Sequence, residues 1–268
     1  MSFGLKVTIL GSGSSGGVPR IGGPDGRGDW GACDPAEPKN RRRRCSLLVQ
    51  RGATQVLVDC APDMREQLID ARVTRLDAVF ITHDHADQSH GIDDLRMIAQ
   101  NMRRRVDVYA AADTLRVLTE RFGYCFKGSE KEAYPAILES HALARPFGEI
   151  AIEGKGGIIP VRPFDQDHGT MVSQGFRFGP IAYSSDVVDL DDTAFAALEG
   201  VDCWIVDALR YRPHPTHAHV EKTLSWIKRV CPRRAILTNL HIDLDYHALA
   251  RSLPAGVEPA YDGMIIEL

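Results

Sequence analysis

The 268 residues contain no C-x-x-C pair; the six cysteines stand apart at 33, 45, 60, 125, 203 and 231. That scatter argues against a zinc ribbon and against a disulfide framework, and it fits a reducing compartment. There is no excess of positive charge either. A formal net charge of -4 and a pI near 6.2 advertise no global basic field for a nucleic-acid partner. The opening MSFGLKVTILGSG lacks a basic segment followed by a long apolar core, and its apolar run is only a strand's length. Neither a signal peptide nor a membrane span is expected, so the cytoplasm is the expected location. Internal repeats and low-complexity tracts are absent as well. Two local basic runs, Arg41–Arg44 and Arg103–Arg105, read first as solvated edges and second as candidate phosphate contacts.

What is present is ordinary globular chemistry: 44% hydrophobic and 25% charged residues, enough for a sizeable core. Composition shows no seam, and a single domain over 1–268 is the reading adopted. Strand-like runs fall at 6–10, 46–50, 55–60, 78–82, 106–110, 158–164, 175–179, 181–186, 203–209, 235–240 and 263–268. Helical patterns fall at 63–72, 92–102, 112–122, 192–199, 219–230 and 246–252. Strands interspersed with helices predict sheets covered by helices, an α/β layered architecture. From Gly11 to about Asn40 the chain is rich in Gly, Pro and Asp and should form a long irregular loop. Its start fits G-x-G-x-x-G, but Pro19 follows where a helix should open, so a dinucleotide fold is not expected.

The densest chemistry is THDHADQSHG, residues 82–91, at the end of the apolar strand VFIT. His83 and His85 are spaced i and i+2, which puts them on one side of a strand, and Asp87 follows in step. Imidazole and carboxylate together suit zinc or manganese. A metal site needs ligands from other segments too, and they occur at comparable places: His168 after VRPFDQD, Asp186 after IAYSS, and Asn239 and His241 after AILT. Each lies at or just past the end of a strand, where a layered fold would gather them at one edge.

T-H-x-H-x-D, a later lone His, S-D after a Tyr-containing strand and a final L-T-x-x-H together resemble the metallo-β-lactamase superfamily. RRRRCS, YSSD and the C-terminal DGM are closer to its phosphoribosyl 1,2-cyclic phosphodiesterase-like group. The resemblance runs over nearly the whole chain and implies a four-layer αβ/βα sandwich. It implies one or two divalent ions, Zn2+ or Mn2+. The first would be held by His83, His85 and His168 with Asp186 bridging, the second by Asp87, Asp186 and two further imidazoles. In this chain those last two positions are Gln88 and Asn239, with His241 two residues on as a candidate substitute. The second site is therefore expected to be weaker or differently selective, with outright loss as the alternative. A cysteine-bound structural zinc, frequent in that group, is not expected, because the first long loop offers only Cys33 beside Asp29 and Asp34.

The same resemblance gives His217 the register of a general acid, while His219 belongs to a helix start and His214 to the surface. His90, His141 and His247 lack a supporting constellation. Asp87 would orient the attacking water if its metal is missing. Ser14, Ser15 and Arg44, with His217, are the candidate substrate contacts. The implied function is a metal-dependent phosphodiesterase acting through a metal-activated water on a small phosphorylated, nucleotide- or ribose-phosphate-like substrate. Two alternatives stand beside it: a tRNA 3′-processing-type nuclease, against which the acidic charge and the lack of an RNA-gripping arm count, and a nucleotide-binding protein with an incomplete metal centre. No membrane partner is implied, and a homodimer stays open.

Overall fold

The computed structural model describes residues 4–128 and 135–268, so the first three residues of the N-terminal segment lie outside the description. The strands are, in chain order, β1 Lys6–Gly11, β2 Ser46–Arg51, β3 Thr54–Val58, β4 Ala78–Phe80, β5 Val106–Ala111, β6 Leu138–Leu143, β7 Ile150–Gly154, β8 Gly157–Asp167, β9 Val172–Phe178, β10 Ile181–Ser184, β11 Cys203–Asp207, β12 Arg234–Thr238, β13 Val257–Pro259 and β14 Ile265–Glu267. The helices are α1 Met64–Asp70, α2 Ala86–Ser89, α3 Leu95–Met102, α4 Ala112–Arg121, α5 Gly123–Lys127, α6 Asp192–Leu198, α7 Val220–Val230 and α8 Tyr246–Ser252. They group into two compact units. One comprises Met1–Leu10, Ser46–Val161 and Ile265–Leu268, the other Gly11–Cys45 and Arg162–Met264.

In the first unit the sheet order is β14-β1-β2-β3-β4-β5-β6. From β3 to β6 the strands run parallel. Parallel strands are covered on both faces, so they read as unbroken apolar runs rather than as alternation. Ala78, Val79 and Phe80 of β4 are accordingly all buried. Val79, Leu57 and Val108 share a core with Leu95 and Ile98 of α3 and Leu115 and Leu118 of α4. Strand β6, LESHAL, escaped the sequence reading because only its end residues are buried; its register, Val106↔Leu138 to Ala111↔Leu143, comes from β5. The short α2 and α5, and the strands β7 and β13, were also not read from the sequence.

The second sheet has the order β13-β12-β11-β10-β9-β8-β7. Strands β10 to β13 are parallel, and β8, β9 and β10 are joined antiparallel. Every residue of β11, CWIVD, is buried. Trp204 packs with Leu198 of α6, Trp226 and Ile227 of α7 and Leu249 of α8, and its indole N–H donates to Ser184 Oγ at 3.0 Å. No helix among the described residues is long and apolar enough to cross a membrane.

Between β1 and β2 the long segment carries only a short 3-10 turn at Pro38–Asn40, as its composition predicts. A buried cation holds it. Arg42, 2% exposed, donates through Nη2 to Leu244 O at 2.7 Å and Asn40 Oδ1 at 3.2 Å, and through Nη1 to His241 O at 3.4 Å. Asn40 in turn donates to Asp245 Oδ2 at 2.7 Å. Replacing Arg42 with Met leaves these acceptors unpartnered, and the urea midpoint should fall by the equivalent of about 3 kcal/mol with an unchanged denaturant slope.

Candidate metal centre

In the first unit, β4 runs out into the 82–91 segment. Two features fix that segment. Gly91 N donates to Cys60 O at 2.8 Å, and a methyl at 91 would come within 2.1 Å of Ala61 O, so no larger residue fits. Cys60 N returns a bond to Gln88 O at 2.8 Å. Behind the histidines lies Asp59, fully buried and in a left-handed backbone conformation. Its carboxylate accepts from Thr82 N at 2.8 Å and from Thr82 Oγ1 at 3.0 Å. With its proton on Asp59, the Thr82 hydroxyl is an acceptor for His83 Nδ1 at 3.0 Å, which leaves the His83 Nε2 lone pair pointing outward. That Nε2 lies 3.0 Å from His85 Nδ1. Two imidazole nitrogens so close share one proton or one cation, and ions with metal–nitrogen bonds of about 2.1 Å accept such a pair. Asp87 stands in the first turn of α2, where Gln88 Nε2 donates to its Oδ2 at 3.3 Å.

The second unit builds a group of three. His168, Asp186 and His217 each offer a ligand atom, and these atoms all lie within 4.8 Å of one another. Three donors on one ion with bonds of about 2.1 Å stand about 3.4–3.6 Å apart, so the group would have to close up around a single ion. Their tautomers fit. His168 Nδ1 donates to Thr216 O at 2.7 Å, which frees Nε2 as a ligand. Gly169 permits this approach: its φ is +78°, and a Cβ there would meet Thr216 Cγ2 at 2.7 Å. His217 Nδ1 donates to Asp207 Oδ2 at 2.8 Å, so its Nε2 faces Asp186 Oδ1 at 3.9 Å. An imidazole whose second nitrogen is held by a carboxylate or carbonyl is the usual form of a metal-ligating or acid–base histidine. Asp207 is fully buried and also accepts from Val187 N at 3.1 Å. Burial pushes the Asp186 carboxyl above its ordinary range; His217 and His168 oppose that and Asp207 adds to it. A buried carboxylate of this kind, facing two imidazole lone pairs, suits a divalent cation.

Asn239, just past β12, has φ +63°, and its amide nitrogen lies 3.1 Å from His217 Nδ1. His241 is half-turned away: its Nδ1 lies 3.2 Å from Asp243 Oδ2 and accepts from Asp243 N. Burial, together with Arg20, lowers its pKa. The structure thus gives His168, Asp186 and His217 one group and leaves His241 outside the clusters found among the described residues. His214 is half-buried, not a surface residue; its ring centroid is 5.1 Å from that of His217. His219 caps α7, in agreement with its reading as a helix-start residue. Sequence reasoning missed Asp207 and Asp59. The signal was available, because each closes an apolar strand (CWIVD, VLVD) as Asp186 closes IAYSS.

The glycine-rich start of the long loop lies beside this group. Gly13 bridges to both Arg44 and Leu240, and Ser14 N donates to Leu240 O at 3.4 Å. Ser14 is 5% exposed and its Oγ is buried without a hydrogen-bond partner. A Cβ at Gly17 would lie 3.8 Å from Arg44 Nη1, so Arg44 flanks the same turn. Ser15 is exposed.

With this geometry in place, comparison with known proteins is informative. Residues 54–242 match the family model of the β-lactamase superfamily domain. The chain belongs to the metallo-β-lactamase superfamily. Its two mixed sheets with their helices are the α/β sandwich fold of that superfamily. The crystal structure of a diphosphatase from the PhnP family is 34% identical, covers 100% of this chain and 98% of its own, and superposes with a TM-score of 0.87. An octanoyltransferase of Porphyromonas gingivalis is 30% identical over 265 residues, 97% of this chain but 51% of the relative. A ribonuclease Z of a Bradyrhizobium strain is 38% identical over 73 residues, 26% of this chain and 24% of the relative. This chain therefore spans about half the length, or less, of the curated relatives it matches.

In a metallo-β-lactamase-superfamily chain stripped of metal, the raised Asp186 carboxyl holds its proton in the folded state where the unfolded chain has lost it. The stability that this proton contributes is present at low pH and is lost as pH rises from the ordinary carboxylate range through the raised value. Asp186→Asn should therefore melt higher than wild type at neutral pH without metal and show a flatter dependence on pH over that interval. Added zinc or manganese should raise the melting temperature of the wild type and not of the variant; differential scanning fluorimetry reads all of these outcomes.

Proposed function

We propose that this chain is a metal-dependent phosphodiesterase acting on a small phosphorylated substrate, nucleotide- or ribose-phosphate-like. The observation that carries this reading is the His168–Asp186–His217 group, with Thr216 O and Asp207 fixing both imidazole tautomers. The similarity to a PhnP-family diphosphatase supports a phosphoryl substrate. His168 and Asp186 would hold the metal in the second unit, and His83 and His85 of the first unit are the further ligands that the resemblance implies. A bound divalent ion supplies positive charge for a phosphoryl oxygen and lowers the pKa of water. With Gln88 and Asn239 supplying amides where relatives supply imidazoles, the donor set is richer in oxygen and fits manganese as well as zinc.

His217 supplies the proton. Its Nδ1 is committed to buried Asp207, which orients the ring, so a proton taken up on Nε2 can pass to the departing alkoxide oxygen as the phosphorus–oxygen bond breaks. The buried, unpartnered Ser14 hydroxyl and the Arg44 guanidinium fit phosphate oxygens, the second as a bidentate fork. A second reading, a ribonuclease Z-like nuclease, is favoured by the local similarity to that enzyme; turnover of a precursor tRNA faster than of small diesters would replace the first reading with it.

Three outcomes test the proposal. His168→Ala should abolish metal-dependent hydrolysis of bis(p-nitrophenyl) phosphate; full activity in that variant, with metal-stripped wild type inactive, sinks the ligand assignment. His217→Ala should keep its metal content by elemental analysis yet lose about 10²–10⁴-fold in kcat on a diester with an alkyl leaving group, and far less on the p-nitrophenyl diester, whose leaving group needs no proton. Loss of metal in that variant would make His217 a ligand instead. Asp207→Asn should follow His217→Ala in this leaving-group pattern, because the carboxylate that orients the imidazole is gone.

A further inference from the structure

The basic run at Arg103–Arg105 plays no part in the site above. In the first unit Arg104 and Arg75 meet at one carboxylate, Asp77, just before β4 and at the opposite end of that strand from His83. Asp77, 7% exposed, takes Arg75 Nη2 at 2.6 Å and lies 3.9 Å from Arg104 Nη2, while its Oδ2 accepts Gln55 N at 2.9 Å. Arg104 comes across because α3 ends at Arg103 in a left-handed conformation, φ +54°, and its Nη1 is held by Asp107 Oδ2 at 2.9 Å.

A third cation is delivered by the turn between β7 and β8, GKGG at 154–157. Added side chains at Gly154 and Gly156 would strike Thr54 Oγ1 at 2.5 Å and Arg51 O at 1.9 Å. Only glycine lets the turn dock there, where Thr54 Oγ1 donates to Gly157 O at 2.7 Å and accepts Gly156 N at 2.9 Å. Lys155, at the tip of this clamped turn, has no hydrogen-bond or ion-pair partner among the described residues. Thr74, Arg75, Asn101, Met102, Arg104 and Lys155 together line an open cavity of about 520 Å³. Three cations line it, and the carboxylates that meet them, Asp77 and Asp107, neutralise two. The remaining positive charge, on Lys155, sits with the Arg75 guanidinium, an amide and a hydroxyl, donor types that bind phosphate oxygens, while the Arg104 Nη groups are taken by Arg105 O, Asp107, Leu76 O and Asp77.

We propose that this cavity is an anion site that binds the phosphate group of a small phosphorylated ligand, separate from the histidine-bearing end of the same sheet. The test uses the full chain, metal-free, with inorganic pyrophosphate followed through backbone amide NMR signals. Amides of Asn101 and of residues 154–156 should shift and saturate. Lys155→Glu should weaken that saturation about tenfold or more, the worth of a charge-assisted hydrogen bond. Lys155→Gln should weaken it less, and both variants should keep wild-type turnover of a small phosphodiester. Unmoved amides at the cavity, or equal affinity in Lys155→Glu, would overturn the site. So would a response to single-stranded RNA with none to pyrophosphate, which would make the patch a nucleic-acid contact.

Discussion

Three of the candidate imidazoles, His83, His168 and His217, each give one ring nitrogen to the protein so that the other is left for chemistry. His217 gives Nδ1 to Asp207, His168 gives Nδ1 to the Thr216 carbonyl, and His83 gives Nδ1 to a Thr82 hydroxyl whose own proton is taken by Asp59. In free solution an imidazole moves between tautomers at little cost; here a buried acceptor selects one. The acceptors are themselves held. Asp207 takes Val187 N, and Asp59 takes Thr82 N, so backbone and side chain share the same carboxylates. Removing either carboxylate would disturb a loop and a tautomer at once, which is why positioning and stability are hard to separate at these residues and why a leaving-group readout is needed to tell them apart.

The charge balance leads the same way. Asp186 and Asp207 are both buried, and both face His217. Burying two carboxylates beside one another is unfavourable unless cations compensate. In the metal-free chain only imidazoles are at hand, and the Asp186 carboxyl is accordingly pushed up. His168 and Asp186 would hold a divalent ion whose charge would offset that repulsion, and metal affinity and folding would then be coupled as general linkage requires.

Much of this was legible in the sequence. The paired histidines at 83 and 85, the lone His168 and Asp186 all stand after apolar strands, and strand position is what period-2 patterning reports best. Helices α3, α4, α6, α7 and α8 were close to their expected bounds for the same reason, each having one apolar face. What was not legible fails for identifiable causes. Strand β6 is an edge whose register is imposed by β5, so its own residues carry no pattern. Asp207 and Asp59 close apolar strands as Asp186 does, a signal the sequence carries, and their burial and partners show what each of them holds. His214 was read as a surface residue because nothing local in RPHPT shows that its ring lies against His217.

Backbone conformation explains why the strand ends carry these residue types. Asp59, Asp186 and Asn239 follow β3, β10 and β12 with φ of +65°, +51° and +63°. A left-handed turn straight after a strand is costly for β-branched or bulky side chains, while Asp and Asn tolerate it because their short polar groups bond locally. The turn thus favours Gly, Asn, Asp or His at the position before chemistry is considered, and among those only Asp offers a negatively charged ligand. At Asn239 the same turn is satisfied by an amide, which takes up contact with His217 in place of supplying an imidazole. Asn239 suits this left-handed turn, so an amide where the resemblance implies an imidazole does not by itself signal loss of the site.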